Sequence, residues 1–185
     1  MKWTIVILLS ISAAFAQSTP DAAHAHSKRQ STAVMPVAKV LTSALSEVKA
    51  KSRVAVLLPS ELPEAVAGAK YASVETASQD EYAIELDYEL GVGDSGFAAF
   101  FTAKVHPKYA PKDIGNVREV KLSHGFVGYF RPVSCGGSCA PANLWWEKDD
   151  VLYQFQLQLS PTLSERDQQS AIVAAANSAI VAGAR

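Results

Sequence analysis

The fold of this chain is decided by a stretch that reads His124-Gly-Phe-Val-Gly-Tyr-Phe-Arg-Pro-Val133, then Cys135-Gly-Gly-Ser-Cys139, then Asn143-Leu-Trp-Trp-Glu-Lys-Asp-Asp-Val-Leu-Tyr-Gln-Phe-Gln-Leu-Gln-Leu159. Asp149 and Asp150 separate two apolar runs, which predicts a β-hairpin in the last segment. Beyond that turn the alternation places glutamines on one face and large apolar side chains on the other. The apolar set is Val151, Tyr153, Phe155, Leu157 and Leu159. A slip of one residue would invert both faces, so the pattern also predicts the register.

Trp145 and Trp146 are adjacent on the first strand of this hairpin, so their side chains point to opposite faces of the sheet. One of them belongs to the core. The other, Trp145, is expected on the outer face with Tyr129 and Arg131, where an exposed aromatic platform could stack a sugar ring or a partner's side chain. In the alternative arrangement the N-terminal helix covers this surface, and it has no binding role.

Apolar periodicity predicts the remaining elements. A stripe at helical spacing predicts a helix over residues 36–50, and an alanine-rich helix is expected from Pro161 onward. Further strands are expected at residues 54–58, 70–76, 81–89, 97–105, 117–123 and 126–133. The predicted fold class is therefore α+β: a single antiparallel β-sheet of about six or seven strands packed against a C-terminal α-helix, with a shorter N-terminal helix.

The N-terminal residues have the pattern of a secretory signal peptide. Lys2 is followed by an apolar run that ends in Ala14-Phe15-Ala16, a small-x-small cleavage pattern. We expect residues 1–16 to be removed, residues 17–35 to form a flexible leader, and residues 36–185 to form a single domain. No later apolar run is long enough to span a bilayer, so a periplasmic or secreted location is expected after cleavage between Ala16 and Gln17.

Export determines how the chain's 2 cysteines are interpreted. In an oxidising compartment, Cys135 and Cys139 are expected to form a structural disulfide. The alternatives are a redox pair or a metal site, but redox motifs usually have two intervening residues and no histidine lies at ligand spacing. We expect no metal and no cofactor, since the glycine pair of Gly91-Val92-Gly93 is not followed by the helix that a dinucleotide loop requires.

Several short motifs resemble a known family. They are Leu58-Pro59-Ser60-x-Leu62-Pro63, Gly125-Phe126-Val127-Gly128-Tyr129-Phe130, Leu144-x-Trp146-x-x-x-x-Val151-x-Tyr153, and Ala174 to Ile180. The series is similar to a widespread bacterial extracytoplasmic domain of unknown function, relatives of which occur in secreted proteins, in lipoproteins and on the outer side of anti-sigma factors. Asp149 and Asp150 stand where that family usually has glycine. The resemblance implies an α+β sheet domain and an envelope location, and it implies no reaction and no catalytic residues.

These observations favour a non-catalytic cell-envelope binding or interaction module, whose partner would be an envelope protein, a peptide or a glycan. The formal net charge of -1 gives no electrostatic support for binding nucleic acid. One alternative is a small secreted hydrolase of glycans or peptides that uses Glu147, Asp149 or Asp150 at the hairpin turn, or His124. Another is a purely structural domain without a ligand.

The expected compartment can be tested by measuring the oxidation state of Cys135 and Cys139 and the N-terminal residue of the exported protein. Protein recovered from outside the cytoplasm should begin at Gln17 and should have no free thiol, because Cys135 and Cys139 would be oxidised there. Intact mass before and after alkylation under denaturing, non-reducing conditions measures both. Alkylation of two cysteines without prior reduction would contradict the expected disulfide and the compartment together.

Overall fold

The computed structural model describes residues 37–91 and 96–185. The predicted signal peptide, its cleavage site, the predicted leader and most of the Gly91-Val92-Gly93 motif lie outside the described residues. The helices are α1 (Thr42–Lys51) and α2 (Glu165–Ala182). The strands are β1 (Tyr71–Ala77), β2 (Glu81–Asp87), β3 (Phe97–Val105), β4 (Arg118–Lys121), β5 (Val127–Arg131), β6 (Ser134–Cys135), β7 (Cys139–Ala140), β8 (Ala142–Lys148) and β9 (Val151–Leu157).

Seven of these strands form one sheet in the order β1-β2-β3-β9-β8-β5-β4. Every neighbouring pair is antiparallel. The short strands β6 and β7 pair only with each other, beside the main sheet. The predicted α+β class, the single antiparallel sheet, the C-terminal helix and the shorter N-terminal helix are confirmed.

The β8–β9 hairpin has the predicted register. Asp149 and Asp150 have φ values of 52° and 61°. Aspartate tolerates this left-handed conformation better than most residues, and a two-residue turn of this kind matches the twist of the flanking strands. Trp146 therefore lies opposite Tyr153, and their rings stack with centroids 5.3 Å apart. Phe155 meets the edge of Trp146 at 4.9 Å, which completes an aromatic cluster in the core.

Both helices pack on the same face of the sheet. Helix α1 lies against β1, and α2 lies against β8 and β9. Their buried side chains join the inward residues of the strands in one core. Half of the buried positions of α2 are alanine, which allows the helix axis to approach the sheet closely; the buried residues are Gln168, Ile172, Ala175, Ala176, Ala179 and Ile180. None of the helices among the described residues is long and apolar enough to cross a membrane.

The strand predicted at residues 54–58 is wrong. This segment joins no sheet, although four of its five residues, Val54, Val56, Leu57 and Leu58, are buried in the core. Its backbone groups are paired with side chains instead of a ladder. The Tyr82 hydroxyl donates to the Leu57 carbonyl and accepts from the Leu57 N–H, both at 3.2 Å, and the Tyr153 hydroxyl donates to the Ala55 carbonyl at 2.9 Å. Apolar runs of this length do not distinguish a strand from a segment satisfied in this way.

Two smaller expectations are also corrected. Helix α2 begins at Glu165, not at Pro161, because Ser164 caps it: the Ser164 Oγ accepts from the Asp167 N–H at 3.2 Å. In the sequence, Gly128 stands between Phe126 and Phe130, which predicts room for an aromatic ring of a neighbouring strand. The structure fills this space with aliphatic side chains instead, and a Cβ at Gly128 would lie 2.9 Å from a methyl carbon of Leu144.

Removing the Tyr82 hydroxyl should destabilise the fold. Tyr82→Phe leaves both backbone groups of Leu57 buried without a partner, so we expect the free energy of unfolding to fall by about 1–3 kcal/mol. Denaturant titration measures this. Tyr71→Phe is the matched control, since the Tyr71 side chain is exposed, and it should change stability little. Equal effects in the two variants would show that the Tyr82 hydrogen bonds do not stabilise the fold.

The same tyrosines should make the protein sensitive to alkali. Burial raises the pKa of Tyr82 well above its usual value and raises the pKa of Tyr153 to about 12. Above pH ~10 the unfolded chain releases protons that the folded protein keeps, so stability should fall by about 1.4 kcal/mol per pH unit for each tyrosine. In Tyr82→Phe this slope should become shallower between pH 10 and 12, which denaturant titrations at several pH values would detect.

Candidate functional site

The face of the sheet turned away from both helices is here called the outer face. Cross-strand partners define it, because residues that lie opposite each other share a face. Thr102 lies opposite both Ala83 and Gln154, and Trp145 lies opposite both Gln154 and Tyr129. The other outer-face residues used below are Glu85, Phe100, Arg131, Asn143 and Gln156. None of these residues belongs to the core between the sheet and the helices.

Trp145 lies on the outer face as predicted, but its side chain is only 3% exposed. The guanidinium carbon of Arg131 lies 5.0 Å from the ring centroid, a cation–π distance. The segment that connects β3 to β4 also covers this region: its turn Pro111–Asp113 packs against β8, with Pro111 buried. The expectation of an exposed platform at Trp145 is therefore corrected to the covered arrangement.

The cover over Trp145 is not the one expected. Helix α1 packs at the opposite edge of the sheet, against β1 and on the other face. The connection from β3 to β4 covers the ring because it must cross β9, β8 and β5 to reach the far edge. The structure brings Trp145, Tyr129 and Arg131 together, and their binding role stays a prediction.

Cys135 and Cys139 are paired, with their sulfur atoms 2.05 Å apart. They are cross-strand partners in β6 and β7, and a hydrogen bond from the Gly136 N–H to the Ser138 carbonyl, 2.9 Å long, closes the loop between them. The predicted pairing is thus present in the structure. The loop is exposed and stands at the rim of the outer face.

Two cavities lie on the outer face beside this loop and the β3–β4 connection. The first, of about 370 Å³, has Ala83, Thr102 and Gln154 in its floor. The second, of about 400 Å³, has Glu85, Phe100 and Gln156 in its floor. One wall of the first is formed by Pro107, Lys108 and Tyr109, and one wall of the second by Ser138, Cys139 and Pro141.

The two cavities lie end to end along the same strands. Thr102 and Gln154 form one cross-strand pair, and Phe100 and Gln156 form the next pair on the same face. We call the two cavities together the outer trough. Its floor is formed by β2, β3 and β9, its first end is lined by the β3–β4 connection and its second end by the cystine loop. Each cavity has the volume of a ligand site, roughly 300–1,000 Å³.

A buried asparagine organises the polar groups of the trough. Asn143 is 1% exposed. Its Oδ1 accepts hydrogen bonds from the Nε2 of Gln154 at 2.8 Å and of Gln156 at 2.7 Å, and its Nδ2 donates to the Pro141 carbonyl at 2.8 Å. Both acceptor sites of Oδ1 and one of the two N–H donors of Nδ2 are thereby used. The network fixes the rotamers of one glutamine in each cavity.

The ionised groups of the trough differ between its two ends. Lys104 and Lys108 line the first cavity together with Glu81, and Glu81 accepts a 2.5 Å hydrogen bond from Lys104. That hydrogen bond raises the pKa of Lys104 above its ordinary value. Glu85 is the charged residue that lines the second cavity. Among the described residues, the lining of the first cavity thus has two cations and one anion, and the lining of the second includes the Glu85 carboxylate.

The residues considered for hydrolysis do not converge. Neither cavity of the trough is lined by Glu147, Asp149, Asp150 or His124. Glu147 and both aspartates are exposed at the hairpin turn, and His124 is exposed in a separate turn before β5. Among the described residues, no group of three or more histidine, cysteine, aspartate or glutamate side chains could hold a metal ion.

Reasoning from the sequence missed the trough and the role of Asn143. The alternation in β9 correctly predicted which face Gln154 and Gln156 occupy, and a polar residue between apolar neighbours at position 143 was the available signal. The walls of the trough could not be predicted from the sequence, because residues 107–109 and 138–141 are far apart in the chain. Comparison of the chain with family models, curated proteins and solved structures gives no match, so the resemblance to an extracytoplasmic domain stays a prediction.

The cover over Trp145 can be tested by fluorescence quenching. Arg131→Ala removes the guanidinium from the ring, so iodide should quench the tryptophan emission more strongly than in the wild type. Lys121→Ala, on the exposed edge strand β4, is the control and should leave quenching unchanged. If Arg131→Ala behaves like the control, the β3–β4 connection alone shields the ring.

Proposed function

We propose that this chain is an exported, non-catalytic binding module of the cell envelope, and that it takes its ligand in the outer trough. One observation carries the proposal. Both helices are used to cover one face of the sheet, and the other face has two adjoining cavities whose floor amides are held in place by Asn143. Polar groups fixed before a ligand arrives lower the entropic cost of binding it.

The lining of the trough supports a peptide or a glycan as the ligand class. Its floor combines amides, a threonine hydroxyl and a carboxylate with the half-buried ring of Phe100. Tyr109, which is 52% exposed, adds an accessible ring to the wall of the first cavity. Sites of this kind usually use apolar contacts for affinity and a few placed polar groups for orientation.

The envelope location rests on the chain's N-terminal pattern and on the cystine. The signal pattern of residues 1–16 supports export, and a pair of cysteines at bonding distance is compatible with an oxidising compartment. A soluble binding module in that compartment would meet envelope proteins, peptides and glycans.

The alternative of a hydrolase has less support. Hydrolysis by a pair of carboxyl groups needs them on opposite sides of one substrate bond, within about 5–10 Å of each other in a cleft. Asp149 and Asp150 are adjacent residues of an exposed turn, and they lie outside both cavities. The purely structural alternative gives no reason for fixed polar groups in the floor of two adjoining cavities.

Filling the trough should abolish binding without unfolding the protein. In Thr102→Trp the new ring would occupy the first cavity, because the Thr102 side chain points away from the core. Thr42→Trp places the same ring on the exposed start of α1 and is the matched control. The measurement is a ¹⁵N NMR titration of the purified protein with short peptides and with neutral oligosaccharides.

We expect one of the two ligand classes to shift the signals of outer-face residues in the wild type and in Thr42→Trp, but not in Thr102→Trp. Far-UV circular dichroism of the three proteins verifies that each is folded. The proposed function is wrong if neither class shifts these signals, or if Thr102→Trp binds as well as the wild type.

A further inference from the structure

We propose that the first cavity of the outer trough binds one aromatic side chain of a peptide, and that an acidic group beside that side chain pairs with Lys108. This inference rests on the proposed function and names the ligand class of that site. It is carried by the residues that form the floor and the flanks of the cavity, by the rings in its wall and by the charged groups that are already paired there.

The floor of the first cavity is a row of small side chains that crosses three strands. Thr76 in β1 lies opposite Ala83 in β2, and Ala83 lies opposite Thr102 in β3. Cross-strand partners share a face of the sheet, so these three side chains stand next to one another on the outer face. All three line the cavity. The row ends at Gln154, the partner of Thr102 in β9.

Larger side chains stand on both sides of this row. Side chains on one face of a strand recur every ~6.8 Å, so the two flanking rows are ~14 Å apart with the small residues midway between them. The cavity is thus a slot across the strands, made by the small size of the residues in its floor. The flanking residues are Glu81, Lys104 and Leu152 on one side, and Glu85, Phe100 and Gln156 on the other.

The β3–β4 connection adds two rings to the wall of the slot. Pro107 and Tyr109 both line it, and Tyr109 is 52% exposed, so its ring is accessible to a ligand. The volume of about 370 Å³ lies near the lower end of the range for ligand sites, which suits one large side chain better than several. An aromatic side chain in the slot can contact the small residues of the floor and the Tyr109 ring at the same time.

The polar side chains of the slot favour an aromatic residue over a sugar ring. Lys104 donates to Glu81 at 2.5 Å, and the Gln154 Nε2 donates to Asn143 at 2.8 Å, so these groups are already engaged within the protein. A sugar ring brings several hydroxyl groups, and each one that is buried without a partner weakens binding. A hydrocarbon ring makes no such demand, so the slot fits the aromatic residue of a peptide better than it fits a glycan.

Lys108 gives the rim of the slot a positive charge. Lys104 is paired with Glu81, whereas none of the ion pairs among the described residues includes Lys108. Lys108 is exposed and immediately precedes Tyr109 in the connection. An aspartate or glutamate next to the aromatic residue of the peptide would therefore bring its carboxylate toward the Lys108 ammonium, with an attraction that salt weakens.

The test is an NMR titration of the purified protein with the tetrapeptide glycine-phenylalanine-aspartate-glycine, acetylated at its N-terminus and amidated at its C-terminus. The ring current of a bound phenylalanine should shift the methyl proton signals of Ala83 and Thr102 saturably. The same peptide with leucine in place of phenylalanine is the matched probe. It should bind about fivefold more weakly, because it lacks the ring-to-ring contact with Tyr109, and it should give no ring-current shift.

Two variants test the slot itself. Ala83→Leu fills the floor and should abolish the shift of the Thr102 methyl signal, whereas Ala50→Leu, at an exposed position of α1, is the matched control. Tyr109→Ala removes the ring from the wall and should weaken binding of the phenylalanine peptide by about three- to tenfold. Tyr71→Ala, which removes another exposed tyrosine, should leave binding unchanged. Because Tyr109 lies on the surface, this second pair decides the matter even if Ala83→Leu fails to fold.

The charged group is tested separately. Replacing the aspartate of the peptide by lysine should weaken binding by about two- to fivefold at low salt. Lys108→Gln should remove that difference, and Lys112→Gln, at another exposed position of the same connection, should preserve it. Equal binding of the two peptides to the wild type would overturn the role of Lys108.

Chitotetraose, a neutral glycan, separates failure of this inference from failure of the proposed function. If the outer face binds chitotetraose and not the phenylalanine peptide, this inference is wrong and the proposed function stands. If neither peptides nor oligosaccharides shift signals of the outer face, both are wrong. Equal affinity for the leucine and phenylalanine peptides, or phenylalanine binding that neither Ala83→Leu nor Tyr109→Ala weakens, would also overturn the inference.

Discussion

The two-residue turn at Asp149 and Asp150 holds β8 and β9 in a single register, and both faces of the sheet depend on that register. With it, Trp146, Tyr153 and Phe155 form the aromatic centre of the core. The residues that alternate with these along β8 and β9, including Trp145 and Gln154, lie on the outer face. A shift by one residue would bury two glutamines and expose the aromatic cluster, so burial of apolar surface enforces the register strongly.

Buried polar groups then determine how the rest of the chain is arranged around this sheet. Tyr82 and Tyr153 reach from the sheet to the backbone of residues 55–57, which holds an extended segment over the core without a strand partner. On the opposite face, Asn143 holds the amides of the trough. The two networks have different consequences. The first lies on the core side of the sheet and stabilises the fold, whereas the second lies on the outer face, in the floor of the trough.

Local patterns predicted most of the fold, and contacts between distant segments account for what was missed. The hairpin, the core face of β9 and the cystine follow from alternation, turn chemistry and cysteine spacing. The segment at residues 54–58 was taken for a strand because its apolar run does not reveal that tyrosine hydroxyls will satisfy its backbone. The cover over Trp145 comes from Pro111–Asp113, which is more than thirty residues away in the chain, so neither the burial of that ring nor the walls of the trough could be read from local sequence.

The position of β9 has a consequence for how the protein assembles. It is the last strand in the chain, yet it lies between β3 and β8 in the middle of the sheet. Pairing β3 with β9 joins residues about fifty positions apart, and such distant contacts slow folding. A chain that is translocated with its N-terminus first therefore leaves the edge of β3 unpaired until β9 becomes available. During that interval the exposed edge can pair with another chain and aggregate, or a chaperone can bind and protect it.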